Sequence, residues 1–201
     1  MAGALQYDLD HMLPDPYNRL PHSARHQLVA DAGDTLFRQG AVTNGLYIVL
    51  SGRVHLERVG PNGERFVIHR ATPGTSFADA SVFSEQYHCD AVVIDAGVFI
   101  RIEKRAVLAA FVDVAFARDY GREAARQIQA QRMLLEIVGI RNAEERVMAG
   151  LAAGLLDGRV MDFAALLHLT RESTYRALRS LVAAGRVVQP SRGVYHLPSK
   201  G

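Results

Sequence analysis

The segment Thr170-Arg171-Glu172-Ser173-Thr174-Tyr175-Arg176 holds residue types suited to reading nucleic-acid bases. An arginine guanidinium can bond guanine O6 and N7 together, and a glutamate can accept from cytosine N4. Arg171, Glu172 and Arg176 are therefore chemically able to recognise G·C pairs. Helical spacing gathers Thr174, Ala177, Leu178 and Leu181 on one face and turns Arg171, Glu172, Tyr175, Arg176 and Arg179 outward. The competing reading is a solvated surface face, and the flanking segments decide between the two. Upstream lie a short helix Phe163 to Leu167 capped by Asp162 and a turn at His168-Leu169. The second helix, Arg171 to Ala184, is capped by Thr170 and stopped by Gly185. A strand pair, Val187-Val188 and Val194-Tyr195-His196, follows around Pro190-Ser191-Arg192-Gly193. Helix, turn, helix and hairpin in that order predict a winged helix-turn-helix, its second helix in the major groove and Arg192 of the wing on phosphates.

His88, Cys89 and Asp90 form the other chemically suggestive run, since imidazole and thiolate ligate metals and haem. Consecutive strand residues point to opposite faces, so the three cannot converge on one small ion. Burial of Cys89 as a small apolar side chain is the expectation, with no cofactor and no metal. A thiol switch would need exposure and a low pKa. Cys89 is the only cysteine, which excludes an intramolecular disulfide and a Cys-ligated cluster within one chain. No nucleophile–base set or metal-ligand spacing supports an enzyme.

The elements that must position these residues fall into three stretches. From about Gly33 to Ile102 the chain reads as short strands: Thr35–Phe37, Leu46–Leu50, Val54–Val59, Phe66–His69, Ala91–Ile94 and Val98–Ile102. Pro61-Asn62-Gly63 joins two of them, Asn-Gly supplying the positive φ angles of a tight hairpin. Many short strands at regular spacing predict a sandwich or closed barrel. Beyond Arg105 the period changes: Ala117, Gly121, Ala124, Ile128, Gln131, Leu135 and Val138 recur at alternating spacings of 4 and 3, the seam of a coiled coil, predicting a helix that pairs with its own copy. Burial of a lone amphipathic helix on its own domain is the alternative. Met133, Leu134 and Ile137 form a second apolar set that could pack on the barrel. Gly139 ends the seam, and Asn142 caps a further helix, Ala143 to Ala153, with Glu144 and Glu145 in its first turn, making this junction the expected hinge. The class is α+β: an N-terminal sensor domain 1–112, a dimerisation helix 113–140 and a DNA-binding domain 141–201.

Charge agrees with that division. The chain carries +2 overall, but Arg141 to Gly201 holds nine Lys/Arg against five Asp/Glu, net +4, leaving −2 for the first 140 residues. A basic end suits phosphates. Met1 to Pro16 has no basic start, apolar run or cleavage pattern, and no stretch approaches the roughly 18 apolar residues of a span. A cytoplasmic address without membrane contact is the expectation.

Several segments resemble the Crp/Fnr family of bacterial regulators, over about Arg19 to the C-terminus. Gly33-Asp34-Thr35-Leu36-Phe37-Arg38-Gln39-Gly40, Leu46 to Val54 and Pro73-Gly74-Thr75-Ser76-Phe77 look like parts of that family's cyclic-nucleotide-binding-type β jelly roll. Thr170 to Arg176 is similar to its Ser-Arg-Glu-Thr-x-x-Arg. The resemblance implies that Arg171, Glu172 and Arg176 contact base edges of each half-site of a roughly palindromic double-stranded operator, and that RNA polymerase is a partner. His168 stands where relatives often have glycine, and histidine tolerates the positive φ better than most side chains. Tyr175 replaces a small residue and so changes the half-site read.

In cyclic-nucleotide-binding relatives a Gly-Glu-Leu turn holds the ribose and an Arg-Ser/Thr-Ala run clamps the phosphate. The matching segments here are Ala78-Asp79-Ala80 and Tyr87-His88-Cys89, without the arginine, so cyclic AMP of ordinary affinity is not expected. Asp79, Tyr87, His88 and Cys89, with Gln131 and Arg132 of the long helix, are the candidate effector pocket. Arg70 or Arg101 could substitute from a neighbouring strand. Gln131 either fixes register between two chains or faces that pocket. Three functions follow: an allosteric DNA-binding dimer with an effector other than cyclic AMP, a constitutive DNA-binding dimer with a degenerate sensor, or a ligand-binding module that does not act on DNA.

Overall fold

A computed structural model describes residues 13–198. The first twelve residues, with Asp8 and Asp10, and the last three lie outside it, and with them most of the Met1 to Pro16 reading. Strands β1 (Arg25–Ala30), β2 (Thr35–Phe37), β3 (Gly45–Val49), β4 (Arg53–Val59), β5 (Arg65–Ala71), β6 (Ser76–Phe77), β7 (Asp90–Asp95) and β8 (Gly97–Glu103) precede helices α1 (Lys104–Ala110), α2 (Val114–Gly139), α3 (Ala143–Ala152), α4 (Val160–Leu166) and α5 (Arg171–Ala183). The hairpin β9 (Val188–Ser191) and β10 (Val194–His196) completes the chain. Contacts divide it into two compact units that meet after Gln127, within α2.

In the first unit two four-stranded antiparallel sheets, ordered β1-β8-β3-β6 and β2-β7-β4-β5, form a jelly roll. Alternation along β3 and β8 explains its two cores. Tyr47, Val49 and Phe99 point between the sheets with Phe37, Phe77, Tyr87 and Val93. Leu46, Ile48, Ile100 and Ile102 point to the opposite side, under Tyr17, Val107, Phe116 and Tyr120. Coverage on both faces is why β3 reads as a continuous apolar run rather than an alternating one. Gly45 is required where β3 meets β8, because a Cβ there would stand 1.9 Å from the Ile102 carbonyl oxygen.

The β4–β5 hairpin forms at Pro61-Asn62-Gly63 with one correction. Gly63 alone takes a positive φ, +83°, while Gly60 and Glu64 close a three-residue loop through a 2.8 Å hydrogen bond. Such loops place a single left-handed residue after a turn, so asparagine is not asked to adopt that geometry. Strand β1 precedes the expected start of the barrel at Gly33.

In the second unit α3, α4 and α5 pack around Val147, Val160, Phe163, Leu167, Leu178 and Leu181. Ile137 is buried in this same core, so the expectation that it packs on the barrel is corrected. Its partners Met133 and Leu134 remain exposed and half-buried. Asn142 caps α3 as expected, its side chain accepting from the Glu144 and Glu145 amides at 2.9 and 3.1 Å. Among the described residues no helix is long and apolar enough to cross a membrane.

Candidate nucleic-acid interface

Helix α4 begins earlier than expected, at Val160 with Arg159 at the cap, so Asp162 is a buried residue of its first turn and not the cap. Its carboxylate lies 4.0 Å from the Arg159 guanidinium and suits the positive end of the helix. The turn survives without glycine: His168 takes φ +50°. Thr170 caps α5, its Oγ1 accepting from the Ser173 amide at 3.1 Å. Removing this acceptor in Thr170→Ala is expected to cost about 1 kcal/mol of stability, visible as a lower denaturant midpoint with an unchanged slope.

Thr174, Ala177, Leu178 and Leu181 are buried, which turns Arg171, Glu172, Arg176 and Arg179 into solvent with Tyr175 half-buried between. Arg171 lies over the Tyr175 ring at 5.8 Å from its centroid, a cation–π contact that restricts the guanidinium before any ligand arrives. The hairpin turn is tighter than expected: Pro190 and Ser191 belong to β9, leaving Arg192-Gly193 at the tip, with Gly193 at φ +82°. Proline is accommodated because this two-stranded ribbon leaves each strand an unpaired edge. Arg159, Arg171, Tyr175, Arg179, Arg192 and Tyr195 border one open groove between α5 and the wing. Burial beside Tyr175 pushes the Tyr195 phenol above its ordinary range. Four arginines against Glu172 make the groove cationic, whereas Arg176 stands exposed outside it, one turn beyond Glu172.

The residues singled out in the first unit do not gather into one pocket. Cys89 is buried and His88 exposed, on opposite sides of the chain. Burial pushes the Cys89 thiol up to about 11, the direction of an inert thiol rather than a redox-sensing thiolate. The His88 ring bonds Ser84 Oγ at 2.9 Å. Tyr87 lies flat on Phe37, centroids 3.8 Å apart, in a stack that Tyr47 and Phe77 extend, and its hydroxyl donates to Asn44 Oδ1 at 2.7 Å. Gln131 and Arg132 are exposed on α2.

Asp79 follows Ala78, which holds φ +64° where the family pattern has glycine, so the left-handed turn is kept at the cost of some strain. Its carboxylate is turned away from the aromatic stack: it accepts from the Tyr17 hydroxyl and, at 3.5 Å, from Gln127 Nε2 of α2, while the Tyr120 hydroxyl donates to its backbone oxygen at 3.0 Å. Sequence reasoning missed Tyr17, Tyr120 and Gln127, which no local spacing links to Asp79, and the role of Ser76 three residues before it. Burial raises the Asp79 carboxyl above its ordinary range, outweighing the hydrogen bonds from Tyr17, Ser76 and Gln127. A raised acid resists ionisation in the folded state while the unfolded chain ionises near ~3.9, so this group lowers stability as pH climbs from there toward the folded value. Asp79→Asn is expected to match the parent near pH ~4 and to exceed it in urea midpoint at neutral pH. A less stable variant at neutral pH would show that the anion is held by its donors.

Comparison with known proteins fits this geometry. Residues 27–113 match the cyclic nucleotide-binding domain family. The cyclic AMP receptor protein of Thermus thermophilus is 26% identical over 164 residues, 77% of this chain and 76% of that one. FixK2 from Bradyrhizobium japonicum superposes with a TM-score of 0.75 at 19% identity, covering 87% of this chain and 93% of that chain. A CRP-family transcriptional regulator from Thermus thermophilus gives 0.65 at 19% identity, covering 85% and 91%. The first unit is thus a cyclic nucleotide-binding-type barrel. In that domain and in its fold, the chain is similar to regulators of the CRP family.

Proposed function

We propose that the protein is a sequence-specific DNA-binding transcription regulator that acts as a homodimer in the cytoplasm. Helix α5 enters the major groove, Arg171, Glu172 and Arg176 meet base edges, and Arg179 and Arg192 meet phosphates. The observation that carries this reading is the cationic groove between α5 and the wing, backed by the fully buried Thr174, Leu178 and Leu181. Dimerisation is supported by the α2 seam. Ile128 and Leu135 are 49% and 71% exposed in the single chain, and Gly121 and Gln131 lie open beside them. An apolar stripe of that length calls for a partner helix, and a two-fold pair of reading helices calls for a roughly palindromic operator.

The barrel responds to something other than cyclic AMP. Support comes from the aromatic stack of Phe37, Tyr47, Phe77 and Tyr87 between the sheets and from an Asp79 already engaged by Tyr17. The same packing also favours a second reading, constitutive DNA binding, and operator affinity that does not change on adding cell extract would select it. Recruitment of RNA polymerase belongs to the proposal as well. Selection of bound duplexes from a random pool tests the whole: two inverted half-sites about one helical turn apart are expected, and an unenriched pool would refute DNA reading.

A further inference from the structure

Beside the start of β3 and the end of β8 the jelly roll leaves an open depression of about 470 Å³. Thr43 and Asn44, just before β3, and Arg101, Glu103, Lys104 and Arg105, from the end of β8 into α1, form adjacent stretches of one wall, joined where the Lys104 amide donates to the Asn44 carbonyl at 3.0 Å. Arg101 reaches it because it alternates with Phe99 on the inward face of β8, opposite Tyr47 of β3. Three cations and one carboxylate line the depression, and their partners are unequal. Glu103 is occupied by His26 at 2.9 Å and Arg105 at 2.7 Å, which together hold its carboxyl below the usual range. Lys104 Nζ donates to the Ser84 carbonyl at 2.6 Å. Arg101 Nε and Thr43 Oγ1, in contrast, are buried and without a hydrogen-bond partner among the described residues.

Two orphaned donors on one cationic wall define what is missing: an acceptor with negative charge and more than one oxygen. A guanidinium presents its N–H groups as a planar fork that fits carboxylate or phosphate, and a hydroxyl can add a further bond. Asn44 ties the same wall to the barrel interior, since its side chain accepts from the Tyr87 hydroxyl.

We propose that this end of the barrel binds a small oxyanion-bearing ligand through Arg101 and Thr43. The site needs no DNA contact, so it stands or falls separately from the reading of α5. Titration of the full chain with inorganic phosphate and, separately, with succinate tests it by NMR, reading the Arg101 Nε–H and the amides of Thr43 and Asn44. Saturable shifts at these groups are expected with at least one anion, phosphate marking a phosphoryl ligand and succinate a carboxylate metabolite. Arg101→Gln is expected to weaken that anion by roughly tenfold or more, the scale of a charge-assisted bond, and the near-isosteric Thr43→Val to weaken it severalfold. If Arg101→Gln does not fold, Thr43→Val decides. No saturable shift with either anion, or equal affinity in parent and Thr43→Val, would overturn the site and leave a pocket filled by water alone.

Discussion

Arg176→Ala is expected to weaken binding to a selected operator by about 1–3 kcal/mol, roughly 5- to 150-fold, and to relax the preference at the base it reads. Arg176 lies exposed on α5, one turn from Glu172 and outside the groove that the four arginines border. Its loss therefore leaves the cationic charge of the groove in place. The two kinds of contact separate by their signatures: a base contact costs affinity for the selected site and spares unrelated sequence, while a phosphate contact costs both alike. Fluorescence anisotropy on the operator and on a scrambled duplex at the same salt measures the difference. Equal losses on both duplexes would demote Arg176 to a backbone contact. No loss on either would remove it from the interface.

Leu135→Glu should act more strongly, and on assembly rather than reading. The side chain is 71% exposed, so its own unit loses little when it changes. Across a two-fold seam the substitution counts twice. About 1.5–3 kcal/mol of burial is forfeited on each helix, and two carboxylates face an apolar stripe. The dimer constant should rise by a hundredfold or more on that scale, seen as monomer in sedimentation equilibrium at micromolar concentration with helical circular dichroism retained. Operator affinity would fall with it, because each half-site is then bound alone. A variant that stays dimeric at the same concentration would mean that the seam is not the interface.

What sequence could reveal follows from how local each constraint is. Thr170, Asn142, Gly185 and the buried face of α5 sit within a turn of the residues they serve, and they occupy the expected places. His168 does too, because its demand for positive φ belongs to one residue. Strand β1 was invisible for the opposite reason. Arg25-His26-Gln27 opens it with three polar residues, and what makes it a strand is pairing with β8, some seventy residues away (Arg25 with Ile102, Ala30 with Gly97). The cap of α4 was misplaced because Asp162 has the chemistry of a cap, but burial carries it into the first turn. Ile137 lies in the core of the second unit although its face could equally have met the barrel, because periodicity tells which residues share a face and not which domain that face meets. The Asp79 cluster combines both difficulties, since its donors Tyr17 and Gln127 stand 62 and 48 residues away. Resemblance to a ligand turn singles out Asp79 and carries no information on its distant donors Tyr17 and Gln127.

The packed aromatic interior also gives the protein a native optical label. The chain has no tryptophan, and of its seven tyrosines Tyr17, Tyr47, Tyr87 and Tyr120 are buried in the first unit. Ultraviolet emission is thus weighted toward the barrel, with no indole to absorb the excitation energy. Each of these phenols hydrogen-bonds a named neighbour: Tyr17 Ser76, Tyr47 and Tyr87 Asn44, and Tyr120 the Asp79 backbone. Any rearrangement that alters those bonds changes the yield of a signal already present, so the barrel can be watched in solution with no dye attached.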